Sequence, residues 1–152
     1  MWKRIAKRRY TNGLAALSRG DVGEVLEQFA PNVRFVFVGD HSLGTDLGSK
    51  EEVREWFGRL FRLLPNARFE PQEVLVDGRP WDIRIAARVL IRSTFAGDPY
   101  TNEFCQFLRL RNGRVVWDYV LEDTQRFERA SARLAAAGVE EAVAPPLGIA
   151  AR

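Results

Sequence analysis

Trp81-Asp82-Ile83-Arg84-Ile85-Ala86-Ala87-Arg88-Val89-Leu90-Ile91-Arg92-Ser93-Thr94, Tyr100-Thr101-Asn102-Glu103-Phe104-Cys105-Gln106-Phe107-Leu108-Arg109-Leu110-Arg111 and Arg114-Val115-Val116-Trp117-Asp118-Tyr119-Val120-Leu121-Glu122 are three successive strand-like runs. Their alternation decides the fold. In the first, Ile83, Ile85, Ala87, Val89 and Ile91 share one face while Asp82, Arg84, Arg88 and Arg92 share the other, and only the aliphatic face tolerates burial. Turns near Ala96-Gly97-Asp98-Pro99 and at Asn112-Gly113 join the runs into an antiparallel meander.

The second turn admits two registers. A two-residue loop at Asn112-Gly113 sets Glu103 opposite Glu122, a destabilising like-charge pair. A three-residue loop, Arg111-Asn112-Gly113, is favoured because it pairs Asn102 with Glu122, Phe104 with Val120, Gln106 with Asp118 and Leu108 with Val116. One face then carries Asn102, Phe104, Gln106, Leu108, Val116, Asp118, Val120 and Glu122. Joined to the aliphatic face of the preceding strand, it is a greasy surface with a few convergent polar groups, as in small-molecule sites. The opposite face is basic, with a strip of Phe107, Trp117, Tyr119 and Leu121 too apolar for open water, so a homodimer through this outer face is expected. The reverse assignment would make those aromatics core and Asp118 and Glu122 solvated carboxylates.

Upstream of the meander the pattern is helical. Ile5, Leu14 and Leu17 mark a first helix ending at Gly20, and Asp21 with Glu24 caps a second carrying Val22, Val25, Leu26 and Phe29. Pro31 and Asn32 break it before a short strand, Val33 to Val38. A Gly-rich connection from Gly39 to Gly48 carries Asp40, His41 and Asp46; Ser49 and Glu52 then open a helix with Val53, Trp56, Phe57, Leu60, Phe61 and Leu64 on one face and Arg54, Glu55, Arg59 and Arg62 on a solvated one. After Pro65 comes a strand from Phe69 to Asp77 and a turn at Gly78-Arg79-Pro80. Asp123 caps a last helix through Phe127, Ala130 and Leu134, which places one domain at 1–137 and a tail at 138–152. Helices first and a paired sheet afterwards mean α+β, the helices packed on one face of a curved sheet.

Composition agrees with one globular core: 152 residues, 46% hydrophobic, net charge +3. The basic cluster Lys3, Arg4, Lys7, Arg8 and Arg9 lacks an aromatic platform or nucleic-acid motif and reads as a solvated helix face, so neither nucleic acid nor membrane is an expected partner. A single cysteine, Cys105, and no secretory signal fit a cytoplasmic protein. There is no metal-ligand set or phosphate loop, and cofactor-free chemistry is expected.

Gly39-Asp40-His41-Ser42-Leu43-Gly44, the Trp56 helix, Pro80-Trp81-Asp82, Tyr100-Thr101-Asn102, Arg109-Leu110-Arg111-Asn112-Gly113-Arg114-Val115-Val116 and Glu122-Asp123-Thr124-Gln125, in this order, resemble the SnoaL-like polyketide cyclase family of the nuclear-transport-factor-2-like superfamily. The resemblance implies a cone-shaped, curved antiparallel sheet with N-terminal helices over its concave face, an enclosed apolar pocket, and frequent dimers. The superfamily holds cyclases, isomerases, epoxide hydrolases and dehydratases beside non-catalytic members, so fold alone chooses no reaction. The Asp-Arg-Asp set of the epoxide hydrolases falls on Val89, Ala87 and Val120, and the tyrosine and aspartate of ketosteroid isomerases fall near Gly13 and Phe37; neither chemistry is carried over.

The residues that remain are local. Asp118, held among Ile85, Val89, Phe104 and Val120, would have its charged form disfavoured and so could shuttle protons near neutrality. Gln106 would orient it, and Asn102 would orient Glu122 or bind a substrate oxygen; a purely structural polar network is the alternative. His41 is either a rim acid/base or an incidental loop residue. Trp56, Trp81 and Phe37 either stack on a flat ligand or pack as core, beside Phe104, Val89 and Val120. The expectation is an enzyme moving a proton in cyclisation, isomerisation or dehydration of an apolar cyclic or polyketide-like molecule, the alternative a non-catalytic binding or assembly domain.

Overall fold

The computed structural model describes residues 1–95 and 97–148, the side chain of Phe95 excepted. The chain opens with helix α1 (Trp2–Ser18), whose buried ladder is Ala6, Tyr10, Leu14 and Leu17, one helical stripe. Ile5 belongs to the neighbouring stripe and is exposed, contrary to its expected place on the apolar face. The Asp21 side chain accepts from the Glu24 amide to start the single turn and a half of α2 (Val22–Leu26).

Strand β1 (Phe29–Phe37) begins earlier than Pro31 and Asn32 suggested. Its pairing is interrupted between Phe29 and Arg34, which is where a proline without an amide proton can be tolerated. The Gly39–Gly48 connection contains a short strand, β2 (Thr45–Leu47), antiparallel to β1. Helix α3 (Lys50–Leu63) follows, Ser49 accepting from the Glu52 amide and donating to its carboxylate, the expected capping box.

The rest of the sheet is β3 (Arg68–Arg79), β4 (Asp82–Phe95), β5 (Asp98–Arg111) and β6 (Arg114–Glu122). Strand order is β2-β1-β6-β5-β4-β3. β3 to β6 form the expected antiparallel meander, while β1 adds to β6 in parallel. Of the turn expected near Ala96 to Pro99, Ala96 lies outside the described residues.

The β5–β6 register differs instructively from expectation. Asn112 and Gly113 both have positive φ, 47° and 78°, the two-residue turn disfavoured above, closed by Arg111 opposite Arg114. The like-charge clash is avoided by a bulge instead: pairing shifts between Arg109 and Leu110, leaving Val116 extra, so Phe104 faces Glu122, Gln106 faces Val120 and Leu108 faces Asp118. One extra residue restores the expected parity beyond the bulge. Short of it the assignment inverts, so Val115 is buried and Val116 is not.

Ile83, Ile85, Ala87, Val89 and Ile91 point into the core with Asn102, Phe104, Leu108, Asp118 and Val120. Arg84, Arg88 and Arg92 are exposed on the other side, where Arg109 grips Asp82 at 2.7 and 2.9 Å and the rings of Trp117 and Tyr119 stack at 5.5 Å.

Helix α4 (Thr124–Ala136) starts at Asp123, whose carboxylate accepts from the Arg126 amide. The segment beyond it is held to α3: Glu141 receives Arg62 at 2.6 Å, and Arg59 donates to the Ser42 and Pro145 carbonyls at 2.9 and 2.8 Å. Arg59, expected on a solvated face, is therefore mostly buried. Among the described residues no helix is long and apolar enough to cross a membrane.

Candidate functional site

Between α1, α3 and the inner sheet face lies a cavity with about 100 Å³ of water-accessible space. Its wall is mainly apolar, built from Leu14 and Leu17 of α1, Trp56, Phe57 and Leu60 of α3, and Phe35, Phe37, Ile91, Phe104, Leu108, Val115 and Val120 of the sheet. Polar side chains reach it at five positions: Tyr10, Gln28, Gln106, Asp118 and Glu122.

The first polar group is a chain of three. The Tyr10 hydroxyl donates to Gln106 Oε1 at 2.7 Å, which fixes the amide so that Gln106 Nε2 donates to Asp118 Oδ1 at 2.8 Å. Gln106 reaches Asp118 diagonally across the β5–β6 pair rather than from directly opposite. Burial pushes the Asp118 carboxyl up to about 7, the Gln106 hydrogen bond pulling weakly the other way. Burial, and then the nearby Asp118 charge, push the Tyr10 phenol well above its ordinary value, so it stays a neutral donor.

The second group centres on Glu122, whose side chain is 5% exposed. Burial, reinforced by Asp123, pushes its carboxyl up to about 8. Asn102 Nδ2 lies 3.4 Å from Glu122 Oε2, 2.9 Å from the Tyr100 hydroxyl and 3.0 Å from the Asp123 carbonyl, while Asn102 Oδ1 accepts from the Glu103 amide. Asn102 is thus fully occupied. His41 stands beside Glu122 with Nε2 3.8 Å from Oε1, its ring 4.6 Å from Phe127 and 6.1 Å from Phe37. Burial lowers its pKa against the opposing pull of Glu128, Asp40 and the Val38 carbonyl.

The loop that delivers His41 is shaped by two glycines. A Cβ on Gly39, whose φ is 141°, would strike the His41 ring, and one on Gly44 would strike the Gly39 carbonyl. The Leu43 carbonyl accepts from Trp56 Nε1 at 2.8 Å, tying the same loop to α3.

The sequence-derived candidates therefore separate. Asp118, Gln106, Glu122, Trp56, Phe37, Phe104 and Val120 meet at the cavity wall, and Asn102 and His41 stand behind Glu122. Val89 is wholly buried in the core but does not line the cavity. Trp81 is a correction: Arg79 pairs with Asp82, so Pro80-Trp81 is a two-residue turn that leaves the indole 58% exposed under the Arg79 guanidinium, far from a binding role in the cavity. Asp118 and Glu122 are four residues apart on one strand, their Cα positions about 13 Å apart by strand rise, and each has its own amide partner, Gln106 and Asn102, so they form two polar groups rather than one carboxylate dyad. Tyr10 and Gln28 were not anticipated. A tyrosine at the centre of the apolar stripe of α1 was the available signal, since a buried phenol must find a partner.

A family described as the SnoaL-like domain matches residues 8–117. Among solved structures, PrhC from Penicillium brasilianum is 21% identical, with 93% of this chain and 95% of that one covered at a TM-score of 0.80. IdmH, a candidate polyketide cyclase from Streptomyces antibioticus, is 18% identical over 83% and 97% of the two chains (TM-score 0.67). TerC, co-crystallised with polyporic acid, is 17% identical over 81% and 95% (TM-score 0.66). No curated protein matches the sequence.

Proposed function

Because the chain belongs to the SnoaL-like domain family, we propose that it binds an apolar cyclic or polyketide-like molecule in the cavity and that Asp118 transfers a proton during its cyclisation, isomerisation or dehydration. The observation carrying this reading is the Asp118 carboxyl, buried at an apolar wall, held by Gln106 and poised near neutrality. A group with that pKa is present in both protonation states at pH 7, as an acid or base returning to its starting state must be. Tyr10 and Gln106 position it. No resident cofactor is invoked.

Native ligand extracted after gentle purification and identified by mass spectrometry supplies the substrate. Asp118→Asn, which keeps shape and hydrogen bonding, is then expected to lower its turnover by about a hundred- to ten-thousand-fold. Unchanged turnover would remove Asp118 from the mechanism, and a ligand that leaves chemically unaltered would favour the non-catalytic reading.

The same proposal extends to assembly and location. Phe107 and Leu121 stand about two-fifths exposed beside Trp117 and Tyr119, a contiguous apolar strip suited to pairing two outer sheet faces. The single cysteine, exposed on that face, suits a reducing cytoplasm.

A further inference from the structure

The second polar group contains two buried atoms that complete no hydrogen bond, the Val38 carbonyl bearing on the His41 ring without closing one at Nε2. His41 Nε2 and Glu122 Oε1 are both buried, both without a hydrogen-bond partner, and 3.8 Å from each other. That separation is too long for a hydrogen bond between them.

The surroundings dictate which protons they carry. The Leu43 amide donates to His41 Nδ1 at 3.2 Å, so Nδ1 is the unprotonated nitrogen and a neutral ring carries its proton on Nε2. Asn102 approaches Glu122 Oε2, so in the neutral acid Oε2 is the carbonyl oxygen and the proton sits on Oε1. An ion pair would reverse this, but burial favours the neutral form of both partners. The charged or titratable groups bearing on the pair are Asp40 on the loop of His41, Glu128 on α4, Asp123 after β6 and Tyr100 on β5. Each of the three carboxylates favours the protonated form of whichever partner it acts on.

We infer that His41 Nε2–H and Glu122 Oε1–H are a pair of neutral donors converging on one point, a site for the carbonyl or enolic oxygen of a ligand. An oxygen about 2.8 Å from each donor is compatible with their 3.8 Å separation. Glu122 and the neighbouring Phe37 line the cavity and His41 stands behind Glu122, so the point between the two donors adjoins the cavity wall. The inference rests on the cavity holding substrate and adds what that substrate presents: an acceptor oxygen remote from the carbon served by Asp118. Two buried donors also favour an oxygen that gains negative charge during proton abstraction.

Acetophenone and α-methylstyrene test this, being close in shape and differing by a carbonyl oxygen in place of a methylene. Calorimetric titration is expected to give about a tenfold preference for acetophenone, the worth of two modest neutral hydrogen bonds. Its carbonyl ¹³C resonance is expected to move downfield on binding. His41→Phe and Glu122→Leu should abolish the preference without weakening α-methylstyrene, whereas Glu122→Gln, still a donor, should keep most of it. The carbonyl resonance of wild-type protein decides the matter without any variant. Equal affinities with an unmoved resonance would overturn the donor pair and leave the cavity reading standing; binding of neither probe would overturn both.

Discussion

Replacing Asp118 by Asn should change how stability depends on pH before it changes anything else. The carboxyl has its ordinary value, 3.8, in the unfolded chain and about 7 in the folded one. Between these values the unfolded state releases a proton that the folded state retains, so stability falls as pH rises through the window, one factor of ten in the unfolding equilibrium per pH unit. Stability is fully present below pH 3.8, and the loss is complete above pH 7. Across a window about three pH units wide it amounts to about 4 kcal/mol, with no discount for exposure because Asp118 is 2% exposed.

Glu122 adds a parallel loss between 4.5 and about 8, so the two slopes superimpose over most of the acid to neutral range. Asp118→Asn mimics the protonated acid and removes one of them. Urea denaturation of both proteins from pH 4 to pH 8.5 should give similar stabilities at pH 4, about half the wild-type slope in the variant between pH 5 and 7, and a variant more stable by up to about 4 kcal/mol at pH 8. Parallel profiles, or a wild type that gains stability across this range, would refute the claim that Asp118 is desolvated in the native state.

Tyr10→Phe leaves Gln106 Oε1 without its donor and should cost about 1–2 kcal/mol in thermal or urea melts. If Gln106 then turns away, Asp118 loses the hydrogen bond that lowers its pKa, and the pH profile of turnover should move to higher pH; a purely structural tyrosine would leave that profile in place. Gly39→Ala introduces a Cβ into the His41 ring at a backbone φ of 141° and should destabilise by about 1–3 kcal/mol, with His41 displaced in its histidine ring NMR signals. Phe107→Asp on the outer strip should convert a dimer into a monomer by sedimentation velocity while leaving the fold's circular dichroism unchanged, and a wild-type protein that sediments as a monomer would remove the proposed interface.

Much of this arrangement was legible in the residues because strand parity is a robust signal. Arg84, Arg88 and Arg92 cannot all be buried, which fixes the inward face of β4 and, through pairing, that of β5 and β6. Register was less legible. The repulsion between Glu103 and Glu122 correctly excluded a plain two-residue hairpin, but a longer loop and a bulge relieve it equally well, and nothing local distinguishes Val115 from Val116 as the residue to turn inward. Trp81 was misplaced for a related reason: whether Arg79 or Trp81 belongs to the turn depends on where pairing closes. Tyr10 and the docking of Arg59 depend on contacts between elements distant in sequence, Tyr10 with Gln106 and Arg59 with Pro145 and Glu141; the apolar stripe of α1 signals that the phenol needs a partner but not which one, and α3 carries no local trace of its own.

The separation of Asp118 from Glu122 then shapes the chemistry. Two residues whose Cα positions lie about 13 Å apart along one strand keep separate hydrogen-bond partners, yet the same covered face raises both carboxyls well above their ordinary values. Each has its own orienting amide, Gln106 for Asp118 and Asn102 for Glu122, contributed by β5. The difference lies in what else each meets. Asp118 faces a chain of donors ending at Tyr10, which favours its ionised form against the burial that disfavours it, whereas Glu122 Oε1 meets the edge of His41 and completes no hydrogen bond. One end of the strand is therefore equipped to exchange a proton and the other to receive an oxygen, a division that favours substrates with an acidic C–H and an acceptor oxygen at opposite ends of a conjugated or cyclic framework.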